Sequence, residues 1–315
     1  MVAKLVNIVN VSSDIGSIYA GKSKAPAAFK SAGLQDKLRA IGYQVEEQDA
    51  FQQSPAEWVS STREPNGARN EARTVEACHQ VSKTIASALD GADRLPFQLI
   101  LAGECLYCPA IMSAYWHHLS STSKRVGIIY VDADCDLHTP TEPGSSGTIA
   151  GMTLTHLTLD FARGALESMS ALSRPDGTGV VDKDNIVLFG LNTDSEANKR
   201  DHLGYLFDNE FRVFTSRSVQ RDPIGRAKAA LSWLEERVDH IIVHLDVDVI
   251  DPGQFPLCNV PNWTGLGFEE TMAAVKIFLK SDKAVALSVA EVNPDHDPRL
   301  KMTESLVDKI VDALS

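Results

Sequence analysis

The stretch VGIIYVDADCDLHTP, residues 126–140, decides the fold prediction because an apolar run leads directly into Asp132, Asp134 and Asp136. The run reads as a buried strand, and the three carboxylates follow it two residues apart. Two unit charges about 4 Å apart near a protein surface repel each other by roughly 4 kcal/mol. The sequence therefore predicts that a bound cation or a proton lies among these acids.

Composition excludes several classes of function. The chain has 315 residues, 43% of them hydrophobic, and a formal net charge of −12. That charge argues against nucleic acid or an anionic membrane as a partner, since both require a basic surface. No apolar run approaches the roughly 18 residues of a membrane span, and the N-terminus lacks a signal-peptide pattern. The five cysteines are an odd number, so we expect free thiols, and cytoplasm is the expected compartment.

Short apolar runs alternate with helix-period stretches along the whole chain. Strands are predicted at 4–11, 97–103, 126–133, 185–192, 240–247 and 284–292, with weaker candidates at 42–48 and 210–216. Helices are predicted at 25–41, 69–90, 107–119, 152–166, 222–238, 267–280 and 303–314. Continuous apolar strands between helices indicate a doubly wound parallel α/β sheet. No linker or repeat divides the chain, so one domain over residues 1–315 is expected. The polar segment 51–71 is interpreted as a surface excursion or a lid.

Acidic, thiol or amide side chains follow most of the strong strands. In doubly wound sheets ligands bind beyond the carboxyl ends of the strands. The residues at those positions are Glu104–Cys105, Asp132–Asp136, Asn192–Ser195, Asp246–Asp248 and Glu291–Asn293. They are the candidate functional residues.

Strand side chains alternate between faces. Asp132, Asp134 and Asp136 would share a face if the extended conformation continued past Val131. Asp246 and Asp248 would share one by the same spacing. A single aspartate is more often a helix cap or turn residue, which we accept for Asp251. The whole set is better explained by hard divalent cations, and a pair of ions would use this many carboxylates. Bound metal would also supply hydroxide near neutral pH.

Four motifs resemble the ureohydrolases, the family of arginase, agmatinase and formiminoglutamase. They are LAGECL, VDADCDLHTP, HLDVDVIDP and AEVNP, and they occur in the order and spacing of that family. The resemblance implies a three-layer α/β/α sandwich with a central, mostly parallel sheet. It also implies a binuclear manganese site that hydrolyses a guanidino or related C–N bond by attack of a metal-bound hydroxide. A homotrimer or homohexamer is implied as well.

The resemblance assigns roles to individual residues. Asp132, Asp136, Asp246 and Asp248 match four of the six family metal ligands, with Asp132 and Asp246 as the bridging pair. Asp136 would also orient the hydroxide. Glu291 matches the glutamate that pairs with the guanidinium of the substrate.

Two ligand positions depart from the family pattern, because Cys105 and Asp134 stand where the family has histidines. A thiolate suits zinc or ferrous iron, whereas a carboxylate suits manganese. Two Mn²⁺ ions remain the expectation, with Zn²⁺ or Fe²⁺ as alternatives because of Cys105. One ion, or none with some acids protonated, stays open.

The substrate shell also departs from arginase. The family's proton-shuttle histidine is replaced by Ala150, and His138 is either its substitute or a loop histidine bonded to backbone. Ser146 matches the serine that binds the amino-acid carboxylate. Ser195 replaces the aspartate that holds the α-amino group in arginases. Asn192 is the first residue of the same changed pattern, three residues before Ser195. Because these partners have changed, plain L-arginine is not the expected best substrate.

The sequence thus predicts a metal-dependent hydrolase that cleaves a non-peptide C–N bond in a small guanidino, amidino or ureido compound. Predicted catalytic residues are Asp136, His138 and Glu291. Predicted substrate contacts are His138, Ser146, Asn192, Ser195 and Glu291. A non-catalytic binding or regulatory subunit with the same fold is the alternative, and amide hydrolysis is a third possibility.

Overall fold

Eight parallel strands form one sheet in this computed structural model, which describes residues 4–52, 54–60, 63–90 and 95–315. The strands are β1 (Lys4–Val11), β2 (Tyr43–Asp49), β3 (Phe97–Ala102), β4 (Val126–Val131), β5 (Ile186–Leu191), β6 (Arg212–Thr215), β7 (His240–Asp246) and β8 (Ala284–Ala290). Their order across the sheet is β2-β1-β3-β8-β7-β4-β5-β6. All eight predicted strands are therefore confirmed, each within two residues at either end.

The central strands are buried on both faces, which explains their continuous apolar sequences. Every residue of β4 and β5 is buried. The two edge strands are different, because β2 reads YQVEEQD and alternates between half-buried and exposed positions, and β6 has only four residues. Their polarity and shortness are the reason that the sequence predicts these two strands more weakly than the other six.

Helices cover both faces of the sheet. They are α1 (Ala25–Ser31), α2 (Leu34–Ala40), α3 (Glu71–Leu89), α4 (Cys108–His118), α5 (Thr153–Thr158), α6 (Arg200–Asp208), α7 (Ser216–Arg221), α8 (Pro223–Glu235), α9 (Phe268–Leu279) and α10 (Lys301–Leu314). Buried side chains of α3 to α6 pack on one face, and those of α1, α2 and α7 to α10 pack on the other. The fold is the expected three-layer α/β/α sandwich.

Neighbouring strand residues serve opposite layers of this sandwich. Ile128 and Tyr130 pack with the layer of α3 and α4, whereas Ile129 and Val131 pack with the layer of α8 to α10. This is the period of two expected for an extended chain. Each central strand therefore contributes to two hydrophobic cores at once.

The helix predictions differ from the structure in three places. The predicted helix 25–41 is two helices, because Gly33 adopts a left-handed conformation with φ +80°. The predicted helix 152–166 ends at Thr158, where Leu159 takes φ +51°. Helices α6 and α7 were missed because they are short and largely polar.

The polar segment 51–71 lies over loops near the carboxyl edge of the sheet where it is described. Ala56 forms a parallel bridge with Ser13, and Arg63 Nη1 donates to the carbonyl of Pro140 at 3.1 Å. Residues 53, 61 and 62 of this segment lie outside the described residues.

One sheet joins strands from Lys4 to Ala290, while the expected single domain over residues 1–315 stays a prediction. All five cysteines are free and buried, as expected. In the described ranges no helix combines the length and apolarity that crossing a membrane requires.

Gly103 offers a test of how tightly the carboxyl edge is packed. A Cβ atom at this position would lie 1.8 Å from the carbonyl oxygen of Ser13, which is backbone and cannot rotate away. We expect Gly103→Ala to lower the free energy of unfolding by about 2 kcal/mol or more. Urea denaturation followed by circular dichroism measures the change.

Gly204 provides the matched control, because it lies inside α6 and a Cβ atom there would meet nothing within 4 Å. Gly204→Ala should raise the free energy of unfolding by about 0.5–1 kcal/mol, the usual gain of alanine over glycine in a helix. Equal stability of the two variants would contradict this account of the packing.

Candidate active site

A cavity of about 500 Å³ opens at the carboxyl edge of the sheet. Most of the predicted site residues line it, namely Cys105, Asp132, Asp134, Asp136, His138, Ser146, Asp246, Asp248 and Glu291. Asn192 and Ser195 are not among its lining residues. The structure therefore brings all six predicted metal ligands together in one cavity, and two of the predicted substrate contacts do not line its wall.

The three aspartates after β4 reach the cavity by a turn and not by an extended strand. The strand ends at Val131, and Asp132 Oδ1 accepts the backbone N–H of Asp134 at 2.7 Å. Asp136 has a left-handed backbone with φ +48°, and Tyr130 donates its hydroxyl to Asp136 Oδ2 at 2.5 Å. The condition that the chain stays extended past Val131 is therefore wrong, although the three side chains still meet in one cavity.

A similar turn arranges Asp246 and Asp248. Asp246 is the last residue of β7, and the next three residues, Val247–Val249, form a 3-10 turn. Asp246 Oδ1 accepts the backbone N–H of Asp248 at 2.9 Å. Both carboxylates are buried, so the turn presents two acids to the cavity from one strand end.

Two carboxylate oxygens in this cluster have no hydrogen-bond partner among the described residues. They are Asp132 Oδ2 and Asp248 Oδ1, and both are inaccessible to solvent. Burial raises the pKa of Asp132, Asp246 and Asp248 well above the usual range, and neighbouring carboxylates raise it further. Buried oxygens without partners, in a set of acids, are the donor chemistry that fits a hard divalent cation.

Cys105 lies beside the cluster as a buried thiol. Its sulfur and one carboxylate oxygen each from Asp246 and Glu291 lie within 4.8 Å of one another. Burial raises the pKa of the thiol well above its usual value, and the charge of Asp136 adds to this. The thiol is therefore neutral unless a cation is bound next to it, as metal ligation would require.

His244 is a potential ligand that the sequence reasoning missed. One of its ring nitrogens lies within 4.8 Å of ligand oxygens of Asp132 and Asp246, and neither nitrogen has a partner in the described part of the chain. Its ring stacks on Tyr130 with centroids 4.8 Å apart, and burial lowers its pKa to about 3. The strand period could have found it, because His244 precedes Asp246 by two residues on β7.

Lys22 is the second residue that sequence reasoning missed. It lies in a 3-10 turn before α1, and its ammonium forms a buried ion pair with Glu291 Oε2. Glu291 Oε1 accepts the backbone N–H of Cys105 at 3.3 Å. Burial opposes the charge of Lys22, but Glu291 and Glu104 outweigh it and hold the pKa of the ammonium above its usual value. The motif around Lys22 gave no local indication of this contact.

His138 belongs to a polar network at the cavity wall. Its Nδ1 lies 2.5 Å from Glu142 Oε1, and its ring meets the edge of His202. Lys199 Nζ also donates to Glu142 Oε1, at 2.7 Å. Burial disfavours the charge of Glu142, but hydrogen bonds from Lys199, His138 and His202 outweigh it and lower its pKa to about 2. His138 is thus held by a carboxylate, and its role as a proton shuttle stays a prediction.

The remaining predicted substrate contacts have different surroundings. Ser146 lines the cavity and its hydroxyl lies 2.6 Å from that of Thr148. Asn192 donates to the carbonyl of Trp263 at 2.9 Å and accepts the N–H of Asp194, so its amide serves the loop. Ser195 donates to Asp134 Oδ1 at 3.2 Å. Ser195 therefore supports a predicted metal ligand. Ser195 and Asp134 both differ from the family pattern, and they contact each other.

The fold and the acid cluster together define the class. A doubly wound parallel sheet with carboxylates converging at its carboxyl edge is the arrangement that the ureohydrolase motifs imply, and the chain is a member of that class. A family model described as the arginase family matches residues 4–315. The chain belongs to the arginase family, whose members are typically metal-dependent hydrolases of guanidino substrates.

Known relatives agree over nearly the whole chain. An arginase of Staphylococcus aureus strain MRSA252 is 27% identical over 298 residues, which cover 93% of this chain and 92% of the relative. An arginase of Bacillus caldovelox is 25% identical over 300 residues, covering 95% of this chain and 94% of the relative. The crystal structure of arginase from Bacillus cereus has the same fold, with a TM-score of 0.82 at 21% identity, covering 99% and 98% of the two chains.

The network around Glu142 predicts a pH-dependent contribution to stability. Because the pKa of Glu142 falls to about 2 in the folded chain, its stabilising effect is complete above the unfolded value of about 4.3. It is lost as the pH falls from there toward 2. We expect Glu142→Gln to lower the free energy of unfolding by about 1–2 kcal/mol at pH 7 and by less at pH 3.

Urea denaturation at the two pH values measures this difference. Glu46→Gln on the exposed edge strand β2 is the control and should change the free energy by no more than about 0.5 kcal/mol at either pH. A Glu142→Gln penalty that stayed constant or grew toward pH 3 would contradict the role assigned to the network.

Proposed function

We propose that this chain is a metal-dependent hydrolase that cleaves a non-peptide C–N bond in a small guanidino, amidino or ureido compound. The observation that carries the proposal is that two buried oxygens in an acid-lined cavity, Asp132 Oδ2 and Asp248 Oδ1, have no hydrogen-bond partner in the described part of the chain. Burying a carboxylate oxygen without a partner destabilises the folded chain, and a bound cation would remove this cost. Membership of the arginase family gives the reaction class.

The ligand set proposed for the metal is Cys105, Asp132, Asp134, Asp136, Asp246 and Asp248. We propose two Mn²⁺ ions, because oxygen ligands dominate, with Zn²⁺ or Fe²⁺ as alternatives that the thiol of Cys105 would favour. A bound ion of this kind lowers the pKa of water and so supplies hydroxide near neutral pH.

The protein groups have separate tasks in the proposed reaction. Asp136, fixed by the Tyr130 hydroxyl, would orient the attacking water, and Glu291 would hold the substrate head. The water oxygen bonds to the central carbon, the C–N bond breaks, and the leaving nitrogen takes a proton. His138 lines the cavity with Nδ1 engaged by Glu142, so its Nε2 would take the proton that the attacking water loses and pass it to the leaving nitrogen.

Plain L-arginine is not the proposed substrate. Neither Ser195 nor Asn192 carries a carboxylate that could bind an α-amino group. Ser195 donates to Asp134, and Asn192 donates to the carbonyl of Trp263. Ser146 remains on the cavity wall as a hydroxyl for a polar tail. We propose a substrate with a different tail from that of arginine.

Partners, oligomeric state and location are proposed as well. The expected partner is a small molecule, with no nucleic acid and no membrane. A homotrimer or homohexamer in the cytoplasm is proposed from the family.

A non-catalytic binding or regulatory subunit is the second candidate, and one observation favours it. The buried ammonium of Lys22 already supplies a positive charge beside Glu291, and it offsets part of the acid cluster without any metal. Protonation of acids with raised pKa values would offset more.

Metal content and turnover separate the two candidates. Protein prepared with added manganese, zinc or iron should hold at least one equivalent by elemental analysis and release urea or a related product from a guanidino and ureido panel. Asp132→Ala and Asp246→Ala should each reduce turnover at least 100-fold and lower the metal content.

Asp251→Ala is the control from the same motif, because its carboxylate caps a turn by accepting the N–H groups of Gly253 and Thr264. It should keep its metal. Well under one equivalent of metal in the parent protein would favour the non-catalytic subunit, and unchanged turnover in both cluster variants would defeat the proposed mechanism.

A further inference from the structure

A lysine ammonium lies at the inner end of the cavity, where the acid cluster begins. Lys22 is 3% exposed and lines the cavity together with Glu291. The residues before and after Lys22 are both held by Asp14. Asp14 Oδ2 accepts the N–H of Gly21 at 2.8 Å and the hydroxyl of Ser23 at 2.9 Å. The ammonium is therefore part of the cavity wall and not a mobile surface charge.

Both carboxylate oxygens of Glu291 already accept a hydrogen bond. Lys22 donates to Oε2, and the backbone N–H of Cys105 lies 3.3 Å from Oε1. A guanidinium or amidinium head placed against Glu291 would have to displace the lysine or lie beside its positive charge. Like charges in a buried, weakly screened site repel strongly.

Lys22 has donors to spare. An ammonium carries three N–H groups, and within the described residues Glu291 is the one hydrogen-bond acceptor that Lys22 Nζ reaches. The cavity side of this ammonium consequently offers hydrogen-bond donors to whatever enters. A carbonyl oxygen is the matching acceptor, and a cationic head has none.

We propose that Lys22 determines specificity by selecting a substrate whose head is a neutral carbonyl C–N group, a ureido or amide group, and by rejecting guanidinium and amidinium heads. The inference rests on the proposed hydrolase function and narrows its substrate class. Lys22 donates to the carbonyl oxygen of the head while Glu291 keeps the ammonium charged and in place. A site built to hydrogen-bond one partner rejects an isosteric one that leaves its buried polar groups unpaired.

The test uses two probes of nearly equal shape. N-butylurea is neutral and has a carbonyl oxygen that accepts hydrogen bonds, whereas N-butylguanidinium is a cation that only donates them. Isothermal titration calorimetry on the full-length, metal-supplemented protein gives both dissociation constants at concentrations up to 50 mM. In the parent protein N-butylurea should bind at least tenfold more tightly. In Lys22→Met, which removes the ammonium and frees Glu291, the ratio should move at least tenfold toward N-butylguanidinium.

Lys24→Met is the matched control, since Lys24 lies two residues away, is exposed and pairs with Asp295 outside the cavity. Its ratio should stay within twofold of the parent. Equal affinities or a guanidinium preference in the parent, no binding of either probe, or an unchanged ratio in Lys22→Met would each overturn the proposal. If Lys22→Met does not fold, the parent ratio alone decides.

Elemental analysis of the same samples separates this inference from the proposed function. A parent protein that binds less than one equivalent of metal but still prefers N-butylurea would lose its hydrolase assignment and keep the role of Lys22. A metal-loaded parent that prefers N-butylguanidinium would keep the hydrolase assignment and lose the role of Lys22.

Discussion

Charge compensation among buried acids is the constraint on which the site depends. Asp132, Asp246 and Asp248 are withdrawn from water at the ends of neighbouring strands β4 and β7, where burial and neighbouring carboxylates raise the cost of ionising each of them. Such a group of acids is stable only with added protons or positive charge. Lys22 supplies a buried positive charge on the Glu291 side, whereas Asp132 Oδ2 and Asp248 Oδ1 have no hydrogen-bond partner among the residues that the structure describes. The negative charge is therefore partly compensated by a lysine on one side of the cavity, and on the other side it requires protons or a bound cation.

The coupled changes in this chain follow from the same constraint. Asp134, which stands where the family has a neutral ligand, accepts a hydrogen bond from Ser195, which stands where arginases have an acid. Burial raises the pKa of Asp134, while the hydrogen bond from Ser195 lowers it. An acid at position 195 would instead repel Asp134 at close range. Relative to the family pattern, the negative charge thus lies at position 134 and not at position 195, and in the proposed function this single exchange would affect substrate recognition and metal preference together.

The sequence could predict most of the fold because the central strands are buried on both faces and consist mainly of apolar residues. It also located the acids, because ligand groups follow the carboxyl ends of parallel strands. Local periodicity could not show the break at Gly33, the turn that redirects Asp134 and Asp136, or the contact between Lys22 and Glu291, whose positions are 269 residues apart in sequence. These features depend on backbone handedness and tertiary packing, which one sequence does not reveal by spacing.

The strand order has a consequence for how the molecule is made. Strand β8, the last in sequence of the eight described strands, is inserted between β3 and β7 and joins the two halves of the sheet. Glu291 follows it directly, so the hydrogen bonds that Glu291 accepts from Lys22 and from the backbone of Cys105 cannot form until residue 291 has been synthesised. Until then strand β3 has an edge without its partner strand, and Lys22 lacks its ion pair with Glu291. Such long-range closure makes assembly slow and leaves the unfinished chain open to edge-to-edge pairing, a natural occasion for chaperone binding.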